Sequence, residues 1–81
     1  MIVRVRLFAV SRQLADRDVV ALEVAEAISV RQLRARLAEE VPQLARVLPQ
    51  VLFAIGSEYA QDETIVPAGA ELACIPPVSG G

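Results

Sequence analysis

The residues best placed to do chemistry in this sequence are two glycines, Gly80 and Gly81, behind the stretch Ile75-Pro76-Pro77-Val78-Ser79. A terminal α-carboxylate has an ordinary pKa of about 3.5, so at neutral pH it is a poor electrophile but a competent nucleophile toward the α-phosphate of ATP. Adenylation inverts that reactivity and makes the carboxyl carbon an acylating centre. Two residues without side chains suit a tail that threads a narrow passage into another protein's active site, where a Cβ would meet the walls. Pro76 and Pro77 keep the base of such a tail extended, and six residues reach at most roughly 20 Å. A frayed stub is the plainer reading of a C-terminus. The rest of the chain decides between the two.

Elsewhere the inventory is poor in chemistry. The chain has no histidine, which excludes Cys/His zinc sites, Ser-His-Asp triads and Cys-His dyads, so no metal site is expected. All 8 basic residues are arginines, so neither Schiff-base chemistry nor amide conjugation onto a side chain is open to it. The single Cys74 cannot form an internal disulfide, and on the Leu72 side of a strand it reads as a small buried hydrophobe rather than a redox thiol. A net charge of -2 lacks the basic excess that nucleic-acid binding needs. No apolar run approaches the roughly 18 to 20 residues of a membrane span, and "MIVRVRLF" lacks a signal-peptide pattern. The expectation is a soluble, cytoplasmic, one-domain chain that touches neither membrane nor nucleic acid. At 81 residues it has little room for an enclosed active site, so a partner must supply one.

The elements that must position the tail follow from periodicity. In "MIVRVRLFA" Val3, Val5 and Leu7 share one face while Ile2, Arg4, Arg6 and Phe8 share the other, a strand with one dry side. After the polar "SRQLADRD" the β-branched run "VVALEV" puts Val20, Leu22 and Val24 on one side, and a hairpin pairing the two strands is natural. The period then changes: Val30, Leu33, Leu37 and Val41 fall on one helical face. Ser29 and Gln32 form an S-x-x-Q capping box, Ile28 can staple onto Leu33, and Pro42 marks the stop. "PQLARVLPQ" reads as a loop with a short helical turn, "VLFAIG" as a third strand and "SEYAQDETIV" as a short edge segment. "PAG" suits a turn with Pro67 at its second position, leading into the last strand "AELACI".

One helix over a mixed four- to five-stranded sheet is an α+β roll, with the ubiquitin-like β-grasp the leading candidate. In it the first and last strands lie side by side and parallel at the sheet centre. Residues 1–75 would form the domain and 76–81 a flexible tail presented from the end of a central strand.

The sequence also resembles a family. "LFAVSRQL" resembles its F-A-x-x-R-x-L stretch, "AIGSEYA" the loop before its edge strand, "PAGAEL" its acidic turn, and "IPPVSGG" its P-P-V-[ST]-G-G terminus. These are motifs of the small subunit of molybdopterin synthase, the MoaD-type sulfur carriers. Gly56 stands where that family commonly has Asn, and Ala68 and Ala70 flank Gly69 where acidic residues are usual. The resemblance implies a non-catalytic sulfur-donor subunit that binds no cofactor itself. A separate MoeB-type adenylating enzyme uses ATP to make the acyl-adenylate of Gly81, and a sulfur donor protein converts it to a thiocarboxylate. The large synthase subunit, assembled with this chain as a heterotetramer, then uses the sulfur for the dithiolene of molybdopterin. The alternatives are a sulfur carrier of another pathway, such as the thiamin type, a ubiquitin-like protein modifier, and a non-covalent interaction module.

Partner contact is expected at Phe8, Tyr59, Ile75, Pro76, Pro77, Val78 and Ser79. Phe8 is out of phase with Val3, Val5 and Leu7, and an apolar sheet face that one helix cannot cover implies a partner. Arg12 matches the motif arginine and either orients a partner or the tail, or is a solvated loop charge. Arg31, Arg34 and Arg36, together with Glu39 and Glu40, read as a solvated helical face.

Overall fold

The structure is a computed structural model and describes residues 1–77. The expectations placed on Val78, Ser79, Gly80 and Gly81 concern residues outside that range. In chain order the elements are β1 (Ile2–Leu7), α1 (Ala9–Ala15), β2 (Val19–Glu23), α2 (Val30–Glu40), two 3-10 turns (Pro42–Leu44 and Leu48–Gln50), β3 (Leu52–Ile55), β4 (Glu58–Ala60) and β5 (Glu71–Ile75).

The alternation in β1 does what its period demands: Val3, Val5 and Leu7 are buried while Ile2, Arg4 and Arg6 are exposed. The sheet order is β2-β1-β5-β3-β4. β1 and β5 pair in parallel, with Arg4 opposite Glu71 and Leu7 opposite Cys74, as the sequence predicts for the first and last strands. All other pairs are antiparallel.

The start of α2 is also as predicted. The Gln32 N–H donates to Ser29 Oγ at 3.2 Å, and the Ser29 N–H donates to Gln32 Oε1 at 2.9 Å. Val30, Leu33 and Leu37 on its inner stripe are fully buried, each contributing about 1.5 to 3 kcal/mol. They meet the inner faces of the sheet at Val5, Leu22, Phe53 and Leu72 in one core.

Four expectations need correction. A second helix, α1, stands where the polar "SRQLADRD" suggested a hairpin loop, so β1 and β2 pair antiparallel but are joined through a helix. Its seven residues bury only Ser11 and Ala15 and leave Val10 and Leu14 exposed, so the buried face is too small and polar for sequence periodicity to register. Ser11 replaces the missing cap: its Oγ accepts from the Phe8 N–H at 3.1 Å and donates to the Phe8 carbonyl at 2.6 Å. Second, β1 ends at Leu7, and Phe8 is the N-cap of α1 rather than a strand residue.

Third, the Ala70 N–H donates to the Pro67 carbonyl, so Pro67 holds the first position of its turn, not the second. Gly69 then sits third with φ +75°, a conformation that favours glycine.

Fourth, Arg34 is no solvated charge. Its guanidinium donates to the carbonyls of Leu48 and Val51 and to Asp62 Oδ1 at 3.1 Å, and lies 5.0 Å from the centre of the Phe53 ring. It ties α2 to the second 3-10 turn, to β3 and to the 61–64 loop. Arg34→Met keeps the apolar stem but removes the guanidinium donors to the Leu48 and Val51 carbonyls and to Asp62, so we expect a loss of about 2 kcal/mol, seen as a lower urea midpoint at constant m.

Candidate functional site

α2 covers one face of the sheet and leaves the other open. On the open face the register aligns Arg6, Ala73, Ala54 and Tyr59 across four strands. Ala73 and Ala54 are small, so this row forms the floor of a shallow groove. Phe8, Tyr59 and Ile75 stand around it as walls, with Gly56 at one end. Phe8 is 42% exposed and Tyr59 68%, large fractions for side chains this apolar. Gly56 has φ +63° at the tight β3–β4 turn and no atom within 4 Å of a would-be Cβ. Backbone conformation, not crowding, selects it, and Asn tolerates the same region.

The parallel β1–β5 pairing fixes the tail's position. Chain direction carries β1 and β5 to the same end of the sheet, so Phe8 at the end of β1 and Ile75 at the end of β5 meet in one groove beside the tail root. Beyond Ile75 the alternation of Leu72 and Cys74 runs one step further: Pro76 is buried and Pro77 exposed. Pro76 therefore offers a partner no surface as the chain stands, because its ring falls in phase with the packed side of β5. Of the predicted contact set, the structure brings Phe8, Tyr59 and Ile75 together and places Pro77 next to them in sequence. Ala54 and Ala73 escaped sequence reasoning. Their phase with Tyr59 and Ile75 was readable, but only register across strands puts them between those side chains.

Arg12 lies on the shoulder of this groove, sharing a small cleft with Phe8 and Arg6. Its Nε is ion-paired with Asp18, and both side chains are 64% exposed, so the pair itself contributes little to stability.

Cys74 is fully buried beside Ser11 and Arg34. Burial pushes its thiol above the ordinary value, opposed in part by the Ser11 hydrogen bond and the Arg34 charge. A raised folded pKa adds stability that is complete below the unfolded value, about 8.5, and is lost as the pH rises through the folded one. We therefore expect flat stability through neutral pH, a decline above about pH 8.5 that Cys74→Ala removes, and slow labelling by a thiol reagent at pH 8 until denaturant is added. A thiol so held is packing, not a nucleophile.

Among the described residues no cluster of three His, Cys, Asp or Glu side chains stands ready for a metal ion. No helix among them is long and apolar enough to cross a membrane. What the fold offers is an open apolar groove and a tail root at the end of a central strand.

That combination defines a ubiquitin-like β-grasp protein. The structure superposes on SAMP1 from Haloferax volcanii with a TM-score of 0.87 at 28% identity, covering 100% of both chains. The ThiS family profile matches residues 5–81, and the chain belongs to that family. Among curated relatives, the molybdopterin synthase sulfur carrier subunit of Chlamydomonas reinhardtii is 34% identical, with 100% of each chain covered. The protein of the same name from Homo sapiens is 35% identical, over 98% of this chain and 93% of the relative.

Proposed function

We propose that this chain is the sulfur-carrier subunit of molybdopterin synthase. The observation that carries the reading is the parallel β1–β5 pairing, which roots the Gly-Gly tail at the end of a central strand beside an apolar groove. The full-length likeness to two curated sulfur-carrier subunits supports it. The Gly81 carboxylate attacks the α-phosphate of ATP held by a separate adenylating enzyme, releasing pyrophosphate and forming the acyl-adenylate. A sulfur donor at the sulfide level then displaces AMP, leaving a thiocarboxylate. On the large synthase subunit water takes the acyl carbon as sulfur passes to the pterin precursor, and the carboxylate is regenerated.

In this scheme the chain contributes no acid, base or nucleophile beyond its terminus and holds no cofactor of its own. Its work is placement. The groove at Phe8, Tyr59 and Ile75 seats on the large subunit, and the tail carries sulfur into a site the partner encloses. Mass spectrometry of the chain from its native source tests this: a fraction bearing one oxygen-for-sulfur exchange at Gly81 is expected, and its absence under sulfur-replete conditions would refute the scheme.

The likeness to SAMP1 favours a second reading, a modifier joined through the same activated glycine to lysines of other proteins. Proteins isolated with Gly-Gly remnants of this chain on their lysines would establish that reading.

A further inference from the structure

The open face does not end with the apolar groove. One step toward β2 it becomes charged, with Arg4 and Arg6 from β1, Glu71 from β5 and Glu23 from β2. Three of these four have partners. Arg6 Nε meets Glu71 Oε1 at 3.3 Å, and Glu23 turns to the Met1 amine at 3.4 Å. Arg4 lies directly opposite Glu71 in the register, yet that carboxylate is taken by Arg6. Among the described residues Arg4 has no carboxylate within ion-pair distance. The chain as a whole carries a net charge of -2, but this part of its open face carries an unmatched positive charge.

We infer that Arg4 is the anchor of a second docking subsite, continuous with the apolar groove, that receives a carboxylate-bearing segment of the large synthase subunit. The inference rests on the proposed function and names the chemistry of the partner surface. Glu71 and Ile75 are four residues apart on β5, which places the Arg4 row about 13 Å behind the tail root. A partner seated on Phe8 and Ile75 and lying along β5 passes over Arg4 within a normal footprint. An exposed arginine at the rim of an apolar core acts mainly on encounter, so it sets orientation and association rate more than residence time. It fixes which way the partner lies along the sheet, and hence the direction in which the tail points.

The test is the association rate of the full chain with the purified large subunit across a salt series. With Arg4→Glu, association should be about 10-fold slower at about 0.05 M salt, with the gap closing to under about 3-fold at about 0.5 M. Arg4→Gln should fall between and leave the thermal midpoint unchanged, because Arg4 is exposed and has no ion-pair partner among the described residues; Arg4→Glu should remain folded with at most a small drop from the Glu71 carboxylate opposite it. Phe8→Ala runs in parallel. If it weakens binding while Arg4→Glu matches the parent, the subsite is refuted and the groove stands. A loss with Arg4→Glu that ignores salt, or a faster association, refutes a carboxylate partner. If the parent chain fails to bind the large subunit, the functional reading falls and the subsite with it.

Discussion

Deleting Gly81 is expected to abolish molybdopterin formation in a reconstituted assay while leaving the domain folded and the complex assembled. The deletion removes the carboxylate proposed to be adenylated and moves the new terminus back by up to about 3.5 Å. A displacement of 1 Å at a reacting group can cost roughly 100-fold, so both adenylation and sulfur transfer should fall below detection. Stability should not follow, because the core residues of β5 are Leu72 and Cys74 and the deletion touches neither. An unchanged thermal midpoint with retained complex formation is therefore the diagnostic pattern. Gly81→Ala keeps a carboxylate but adds a methyl group for the partner's channel to accommodate, and an intermediate rate is expected. Unfolding on truncation, or continued product formation, would make the terminus structural and overturn its assigned role.

The second large effect is on binding. Phe8 caps α1 with its backbone and shows its ring to the groove, 42% exposed and beside Ile75. Truncation of a central interface aromatic costs on the order of 2 kcal/mol, so Phe8→Ala should weaken binding to the large subunit about 30-fold. The thermal midpoint should stay within a few degrees, since the ring is not part of the core. Tyr59→Ala should act in the same direction. Unchanged affinity by calorimetry for both variants would place the docking surface elsewhere.

These two expectations draw on different sources. The role proposed for "IPPVSGG" is argued from residue type and covalent order alone. The face of β1 that packs inward and the start of α2 were legible in the sequence, where Ser29, Gln32 and the stripe Val30, Leu33 and Leu37 are local signals of period and capping. The absence of histidine and lysine excluded whole classes of chemistry without reference to any fold.

Tertiary structure decided what depends on residues far apart in the chain. α1 forms although its buried face carries no large apolar residue, because Ser11 supplies the cap and Ala15 fits against the core. Arg34 looked like a surface charge since three arginines share its helix. Only the fold brings the Leu48 and Val51 carbonyls and Asp62 within its reach. Pro76 turns inward because β5 packs at the centre of the sheet and its alternation continues past the strand's end. The open-face groove is likewise a product of register: Phe8, Ala54, Tyr59 and the β5 residues Ala73 and Ile75 come from four segments, and pairing of β1 and β3 with β5 and of β4 with β3 sets them side by side. A sequence states the phase of each strand, but the alignment of strands is fixed only when all of them compete to bury their dry faces against one helix.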